Sequence, residues 1–176
     1  YRIADIVMGV VANIFYLDKG YNVKEIATYS KFFGVFATII GGIIGGYSAI
    51  KIGTLKTLFI GAVIAAASNL LFAWLAVSNT NINLLITVIT ADNISSGFAG
   101  AAFVVYLTAL TSIKFTATQY ALFSSLMLLL PKVLAGYSGV IVNQIGYANF
   151  YIFTAIIGIP VLLLIIWIAK IAPVKD

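Results

Sequence analysis

The stretch LLITVITADNISSGFAGAAFVVYL, residues 84–107, decides how the chain must fold. A helix rises about 1.5 Å per residue, so this run can cross the roughly 30 Å hydrocarbon core of a bilayer. Asp92 stands near its middle, with Asn93 beside it. A charged side chain near the bilayer centre costs at least about 2.5–3.5 kcal/mol, which predicts that Asp92 faces a cavity or a partner rather than lipid.

The composition of the whole chain indicates a membrane protein. Hydrophobic residues make up 62% of the 176 residues and charged residues only 9%, against about 25% charged residues in soluble domains. The chain has no cysteine and no histidine, which excludes disulfides, the usual zinc sites and histidine-based triads. We therefore predict that it is not an enzyme and needs no metal or other cofactor. Its basic residues are scattered singly between apolar runs, so no nucleic-acid partner is predicted.

Six apolar runs are long enough to span a bilayer, and short polar breaks separate them. Short connections force consecutive helices to run antiparallel, so the predicted fold is an all-α membrane bundle of six transmembrane helices. The predicted helices cover, approximately, residues 1–17, 27–50, 55–77, 82–112, 117–142 and 149–170.

The distribution of lysines predicts the orientation of the bundle. On one side the connections carry lysines without acidic neighbours, whereas Lys19 and Lys24 on the other side are accompanied by Asp18 and Glu25. By the positive-inside bias, the lysine-rich side is cytoplasmic, and so is the C-terminus. The lysines on that side are Lys51, Lys56, Lys114, Lys170 and Lys175.

An internal repeat relates the two halves of the chain. A shift of 90 positions aligns the Gly-Tyr-Ser triplets 46–48 and 136–138 among ten identities in 37 ungapped positions. After a gap of three residues, Gly53 meets Gly146. Each copy, residues 1–77 and 82–170, holds three helices, and an odd number of spans inserts the second copy upside down. The predicted architecture is a 3+3 inverted repeat, as in one half of a major facilitator superfamily transporter.

The repeat also predicts that the chain is part of a longer protein. Arg2 aligns with Asp92, which lies about ten residues into its predicted helix. The first helix should therefore begin about ten residues before Tyr1. We expect the start of this helix and an N-terminal six-helix half to precede the sequence.

Four ionisable residues lie inside the predicted spans, and their charges balance: Arg2, Asp5, Asp92 and Lys132. Arg2 and Asp5 are three residues apart, close enough to pair on one helical face. Asp92 and Lys132 lie at similar depth on adjacent antiparallel helices, so they are predicted to meet directly or to share a cavity. These residues can form a substrate and proton site, or ion pairs that only tie helices together, and both interpretations stay open.

Helical periodicity predicts which faces look into the bundle. Small or polar residues recur along one stripe of the fourth helix and one stripe of the fifth. Pro131 is expected to kink the fifth helix. The fourth-helix stripe consists of Asp92, Ser96, Ala99, Phe103 and Tyr106, and the fifth-helix stripe of Ser125, Lys132, Gly136, Gly139 and Asn143.

Several segments resemble a known family, the AmpG-type muropeptide permeases of bacterial inner membranes. The resemblance covers essentially the whole chain and implies half of a twelve-helix major facilitator. It is carried by YRIADIVMG (1–9), AASNLLFAWLA (66–76), ADNISSGFAGAAFVVYL (91–107) and FTATQYALFSSL (115–126).

The resemblance also implies roles for single residues. Arg2 and Asp5 match the family's basic and acidic pair on its seventh helix. Asp92 stands where the family usually has Glu, followed as expected by Asn93, and Lys132 stands where it usually has Arg.

The segment GYSAIKIG (46–53) resembles the superfamily's cytoplasmic loop signature Gly-x-x-x-Asp-Arg-x-Gly. Gly46, Lys51 and Gly53 match this signature, which implies a cytoplasmic loop gate, whereas Ile50 replaces its Asp.

By resemblance, the expected function is proton-coupled import of anhydromuropeptides across the bacterial inner membrane, for cell-wall recycling. The expected partners are membrane lipid, the missing N-terminal half, the muropeptide and a proton. Two alternatives stay open: a facilitator of the same superfamily for another anionic solute such as acetyl-CoA, and a non-transporting half-size remnant or scaffold.

Overall fold

The computed structural model describes residues 1–111 and 116–171, and the regular structure in these ranges is entirely helical. Two of the lysines used to predict the orientation, Lys114 and Lys175, lie outside the described residues. The helices are α1 Ile3–Asp18, α2 Val23–Ile52, α3 Thr54–Val77, α4 Ile82–Leu110, α5 Thr116–Ala135 and α6 Ser138–Ile171.

The helices α2 to α6 are long and apolar enough to cross a bilayer. Helix α1 has 16 residues, fewer than the roughly 20 that a full crossing needs. The prediction of an all-α, multi-pass membrane fold is confirmed.

Helix α2 begins four residues before its predicted start, at Val23 instead of residue 27. The Asn22 side chain accepts a hydrogen bond from the Lys24 N–H (2.9 Å), and the Glu25 carboxylate accepts one from the Asn22 N–H (2.9 Å). This capping box satisfies amides that a helix start leaves unpaired, so the helix can begin there. The sequence analysis also missed a π-helical segment, Ala27–Phe33, within α2.

A single residue, Gly53, connects α2 to α3, with φ +93° and ψ 153°. Side chains disfavour this backbone conformation, so glycine suits the position. Gly146, its partner in the predicted repeat, has a similar conformation, with φ +77° and ψ 164°. Two turns of the same geometry therefore stand at equivalent positions of the two copies.

Contacts along α1 show that the chain reverses direction at Gly146, inside α6. The Ser138 hydroxyl donates to the Val7 carbonyl (2.9 Å), and the Tyr147 hydroxyl donates to the Asp18 carboxylate (2.6 Å). The chain thus follows α1 toward its C-terminal end between residues 138 and 147. Further along, Gly158 lines the same small cavity as Tyr1 and Asp5, at the other end of α1.

This reversal corrects the predicted bounds of the last two spans. The fifth crossing does not end at residue 142 but continues to residue 145, and the sixth begins at 147 instead of 149. The fifth crossing is also interrupted by a turn at Gly136 and Tyr137, which separates α5 from residues 138–145. The α-helix continues through Pro131, so the interruption falls at the weak helix former Gly136 instead.

The packing of the helices follows a two-fold pattern. Helix α2 packs against α4, and its counterpart α5 packs against α1. Likewise, α3 packs against α4 as α6 packs against α1, and α3 and α6 pack against each other. Exchanging the first three helices with the last three leaves this set of contacts unchanged, which is the pattern that a 3+3 repeat produces.

The largest buried side chains cluster where α1, α3 and α6 meet. Phe15 and Phe72 each lie 5.1 Å from Tyr151 between ring centroids, and all three are almost fully buried. Such aromatic contacts stabilise a core beyond the area they bury. They hold the three helices together beside the charged residues of α1 and α4.

Candidate functional site

Arg2 and Asp5 form an ion pair at the start of α1. Arg2 Nε lies 3.0 Å from Asp5 Oδ2, with the two side chains 23% and 13% exposed. Arg2 Nη2 also donates a hydrogen bond to the Ser96 hydroxyl (3.0 Å) on α4. The predicted pair on one helical face is present, and Arg2 additionally links α1 to α4.

Asp92 lies one helical turn from Ser96 on α4 and is held by serines. The Ser68 hydroxyl, from α3, approaches Asp92 Oδ1 at 3.4 Å. The Ser95 hydroxyl donates to the Asp92 carbonyl (2.9 Å) and approaches the Ser68 hydroxyl at 3.2 Å. Within the described ranges, no basic side chain lies within ion-pair distance of Asp92. The direct partner of the Asp92 carboxylate is therefore the Ser68 hydroxyl and not a cation.

Arg2, Asp5 and Asp92 act on one another electrostatically. The Asp5 carboxylate is near enough to repel that of Asp92, and the Arg2 guanidinium is near enough to attract it. We call these three residues the charge cluster. With both carboxylates ionised it carries one positive and two negative charges, so one negative charge remains uncompensated.

A small cavity adjoins the charge cluster. Tyr1, Arg2 and Asp5 line it together with small residues of α3, α4 and α6, and it has room for about one water molecule. The Tyr1 hydroxyl donates to the Leu58 carbonyl (3.1 Å), and its ring stacks on Phe103 with centroids 5.1 Å apart. The small residues are Ala62, Ala65, Ala66, Ala99 and Gly158.

Asn93 faces a different neighbour from Asp92. Its amide nitrogen donates to the Ile89 carbonyl (2.8 Å), and its amide oxygen accepts from the Thr38 hydroxyl (3.0 Å) on α2. The side chain also lies against Gly34, where a Cβ would come within 3.2 Å of it. Asn93 thus connects α4 to α2 and does not contact the charge cluster.

The structure does not pair Asp92 with Lys132. Lys132 is exposed on α5, and its ammonium group makes no ion pair or hydrogen bond with any described residue. The prediction of a direct Asp92–Lys132 contact is therefore wrong. The alternative, a cavity shared by the two charges, stays a prediction.

The predicted inward stripe of α4 is correct, since none of its five residues is exposed. The stripe of the fifth helix is wrong, because its five residues are all exposed and the packed side of α5 carries Pro131 and Ala135. Small residues occur on both sides of this helix, so periodicity did not define its rotation. The internal repeat could have identified the packed side of α5, because Pro131 and Ala135 align with Gly41 and Gly45, which are buried on α2.

The predicted loop gate lies at the α2–α3 turn. Gly53 makes the turn, and the Lys51 ammonium lies 5.7 Å from the Tyr47 ring centroid. Gly46 lies five residues before Lys51 in α2, and a Cβ added to it would meet nothing within 4 Å. A gating role for these residues stays a prediction.

Sequence reasoning missed Ser68 and two buried polar residues near it. Asn69 and Tyr151 are fully buried, and within the described residues neither the Asn69 amide nor the Tyr151 hydroxyl has a hydrogen-bond partner. Polar residues inside the apolar runs were the available signal. Together with the charge cluster, they give the space between α1, α3, α4 and α6 a polar character that lipid contact does not require. A carboxylate in such a place can take up a proton or contact a charged solute.

No protein-family profile matches the chain. The curated protein "Putative transporter AmpG 4" of Rickettsia felis is 34% identical over 170 residues, which cover 97% of this chain and 41% of that protein. "Putative transporter AmpG 1" of Rickettsia bellii is 37% identical over 166 residues, 94% of this chain and 40% of that protein. The protein of the same name from Rickettsia prowazekii is also 37% identical, over 94% of this chain and 38% of its own length.

The chain thus spans about two fifths of the length of the curated relatives it matches. The relatives are named as transporters and not as enzymes. Similarity at this level over almost the whole length of the chain indicates shared ancestry. Over nearly its whole length, the chain is therefore homologous to about two fifths of the length of the AmpG-named transporters.

Proposed function

We propose that the chain is the C-terminal half of a proton-coupled permease that imports anhydromuropeptides across the bacterial inner membrane. An N-terminal six-helix half would complete it, and its C-terminus would be cytoplasmic. The transporter names of the relatives support the general activity. The observation that carries the proposal is Asp92, a carboxylate inside a membrane-spanning helix whose direct partner among the described residues is the Ser68 hydroxyl and not a cation.

The charge balance of the cluster supports the proposal of proton coupling. Arg2 contributes one positive charge, and Asp5 and Asp92 contribute two negative charges, so the sum is −1 when both carboxylates are ionised. An uncompensated charge in the bilayer interior is unfavourable, and one bound proton brings the sum to zero. The cluster is therefore suited to take up one proton per cycle.

Asp92 is the better candidate for the site of that proton. Asp5 is paired with Arg2 at 3.0 Å, and this pairing favours its ionised form. Asp92 has only the weaker contact with Ser68, at 3.4 Å. Arg2 can respond to its protonation, because Arg2 contacts Ser96, one turn away on the same helix.

Lys132 fits a different role in the same proposal. Its ammonium group is exposed on a membrane-spanning helix and unpaired within the described residues, so it would need a partner of opposite charge in a water-filled path. An anhydromuropeptide carries carboxylates on its peptide stem. We assign Lys132 to contact with that anion rather than to a structural ion pair.

The test uses cells that lack their own muropeptide permease and express the natural protein containing this chain. Uptake of radiolabelled anhydromuropeptide is expected, and an uncoupler should abolish it. Asp92→Asn should lose uptake driven by an inward proton gradient but keep exchange of labelled for unlabelled substrate, because the neutral side chain mimics the protonated state. Asp18→Asn, which removes the charge of an exposed carboxylate at the far end of α1 but keeps an oxygen that can accept from the Tyr147 hydroxyl, is the matched control.

Three results would count against the proposal. No uptake by a well-expressed wild-type protein would favour a non-transporting membrane protein. Uptake of acetyl-CoA but not of the muropeptide would keep a transporter and change its substrate. Full proton-driven uptake by Asp92→Asn would remove Asp92 from the coupling mechanism.

A further inference from the structure

A deep apolar groove lies between α3 and α6, away from the charge cluster. Its volume is about 630 Å³. Leu55, Phe59 and Ile60 line it from the first turns of α3, and Ile166 lines it from the last turns of α6. Ile60 is 39% exposed and Ile166 is 43% exposed. The groove is therefore an open apolar surface at one end of the bundle.

Two lysines complete the lining of the groove, Lys56 on α3 and Lys170 on α6. Both are exposed, and among the residues that the structure describes neither makes an ion pair or a side-chain hydrogen bond. The N-terminal end of α3, which begins at Thr54, adds the positive end of a helix dipole. The C-terminal end of α6, at Ile171, carries the opposite end of a helix dipole, so the positive charge at this end of the groove comes from the two lysines.

The depth of the groove matches the membrane interface. Lys56 lies in the first turn of its membrane-spanning helix, and Lys170 lies in the last turn of its own. Trp167, one turn before Lys170, is 58% exposed. Exposed tryptophan next to lysine at a helix end is typical of the level of the lipid headgroups. The apolar part of the groove then lies in the hydrocarbon region, with the two ammonium groups at headgroup level.

We propose that this groove binds an anionic phospholipid. An acyl chain would lie along the apolar walls, and the phosphate would be held between Lys56 and Lys170. Basic pockets between transmembrane helices on the lysine-rich side of a membrane bind anionic headgroups in this way. Neither a free phosphate nor a zwitterionic lipid satisfies both parts of the groove, because the first leaves the apolar walls uncovered and the second does not neutralise the two lysines.

The test measures lipid binding to the natural protein containing this chain by native mass spectrometry in mild detergent. Phosphatidylglycerol is added to one sample and phosphatidylcholine to another. We expect retained phosphatidylglycerol adducts and few phosphatidylcholine adducts. A lysine near an anionic surface contributes on the order of a fivefold change in binding, so Lys56→Gln with Lys170→Gln should lower phosphatidylglycerol occupancy roughly 25-fold.

Two further variants make the test specific to the groove. Lys24→Gln with Lys31→Gln removes the same amount of charge from exposed positions of α2 and should leave occupancy unchanged. Ile166→Trp fills the groove while keeping both lysines, and it should also lower occupancy several-fold, because the acyl chain loses its place. Thermal unfolding of each variant in detergent checks that the fold is intact.

Three outcomes would overturn the proposal. Equal retention of both lipids would show that charge does not select the occupant. Loss of binding with the Lys24 and Lys31 pair would indicate general attraction between the protein and anionic lipid. Unchanged binding in Ile166→Trp would place the lipid outside the groove. None of these measurements depends on transport, so they leave the proposed function untouched.

Discussion

The α2–α4 interface and the α1–α5 interface occupy equivalent places in the repeat, but they are built from different residues. In the first, the backbones of the two helices touch. A Cβ on Gly41 would overlap the Ile94 carbonyl, and one on Gly97 would overlap the Thr38 carbonyl. In the second, the position equivalent to Gly41 is Pro131.

The difference decides how firmly each peripheral helix is held. Glycine allows two helices to approach closely, which strengthens van der Waals contact in a membrane. Pro131 and Ala135 are the only buried residues among the described side chains of α5, which otherwise exposes most of its surface, including Lys132. Helix α2 is thus fixed against α4, whereas α5 presents a largely uncovered polar and apolar face. Under the proposed function, that face would meet the N-terminal half or the substrate path.

The largest loss of stability is expected when a methyl group is added where the backbones of α2 and α4 touch. We expect Gly41→Ala to lower the stability of the fold by about 1–3 kcal/mol, because the new Cβ meets the Ile94 carbonyl and neither backbone can move freely. Thermal unfolding in detergent, followed by fluorescence-detected size-exclusion chromatography, measures the effect. Gly9→Ala is the matched control, because a Cβ on Gly9 meets nothing within 4 Å. If both variants lose the same stability, the close approach of α2 and α4 is not what matters.

A smaller loss is expected where the fifth crossing is attached to α1. The buried Ser138 hydroxyl donates to the Val7 carbonyl (2.9 Å), so Ser138→Ala removes one hydrogen bond between these elements. Hydrogen bonds between membrane helices contribute about 0.6 kcal/mol on average, and we expect a loss of that order. The same unfolding assay measures it, with Ser125→Ala as control, since among the described residues the Ser125 hydroxyl bonds to the Ala121 carbonyl within α5 and to no other helix. A loss as large as that of Gly41→Ala would mean that residues 138–145 hold the fifth crossing to α1 as tightly as α2 is held to α4.

The smallest effect on stability is expected for Lys132→Gln. This variant tests whether the exposed face of α5 serves transport and not the fold. Lys132 is exposed and unpaired within the described residues, so the free energy of unfolding should change by less than about 0.5 kcal/mol. Uptake of labelled muropeptide should nevertheless fall, because the contact with the substrate anion is lost. Lys132→Arg should restore part of the uptake by keeping the charge. A strong loss of stability in Lys132→Gln would instead assign the residue a structural partner that the described part of the chain does not contain.

Much of the site was predictable because it depends on neighbours along one helix. Arg2 and Asp5 are three residues apart, so a helix brings them together whatever surrounds it. The single-residue turn at Gly53 and the reversal at Gly146 both fell within predicted connections. The inward direction of Asp92 followed from the cost of exposing a charge to lipid.

The errors have a different origin. The rotation of α5 was assigned wrongly because small residues lie on two of its sides, and each side alone gives an acceptable helical stripe. The direct partner of Asp92 was also missed, since Ser68 belongs to α3 and nothing in the sequence spacing relates the two. Residues far apart in sequence meet only after the helices have taken their relative depth and rotation.

The sequence by itself determined the membrane environment, the number and approximate limits of the helices, the repeat, and the pair on the first helix. These features follow from hydrophobic length, helical periodicity and local spacing, all of which act along the chain. The tertiary structure alone decided that Arg2 reaches Ser96, that the Asp92 carboxylate contacts Ser68, and that Lys132 lies on an exposed side of α5. Those outcomes depend on how closely two helices approach, as glycine allows between α2 and α4, and this distance is fixed only when both helices are in place.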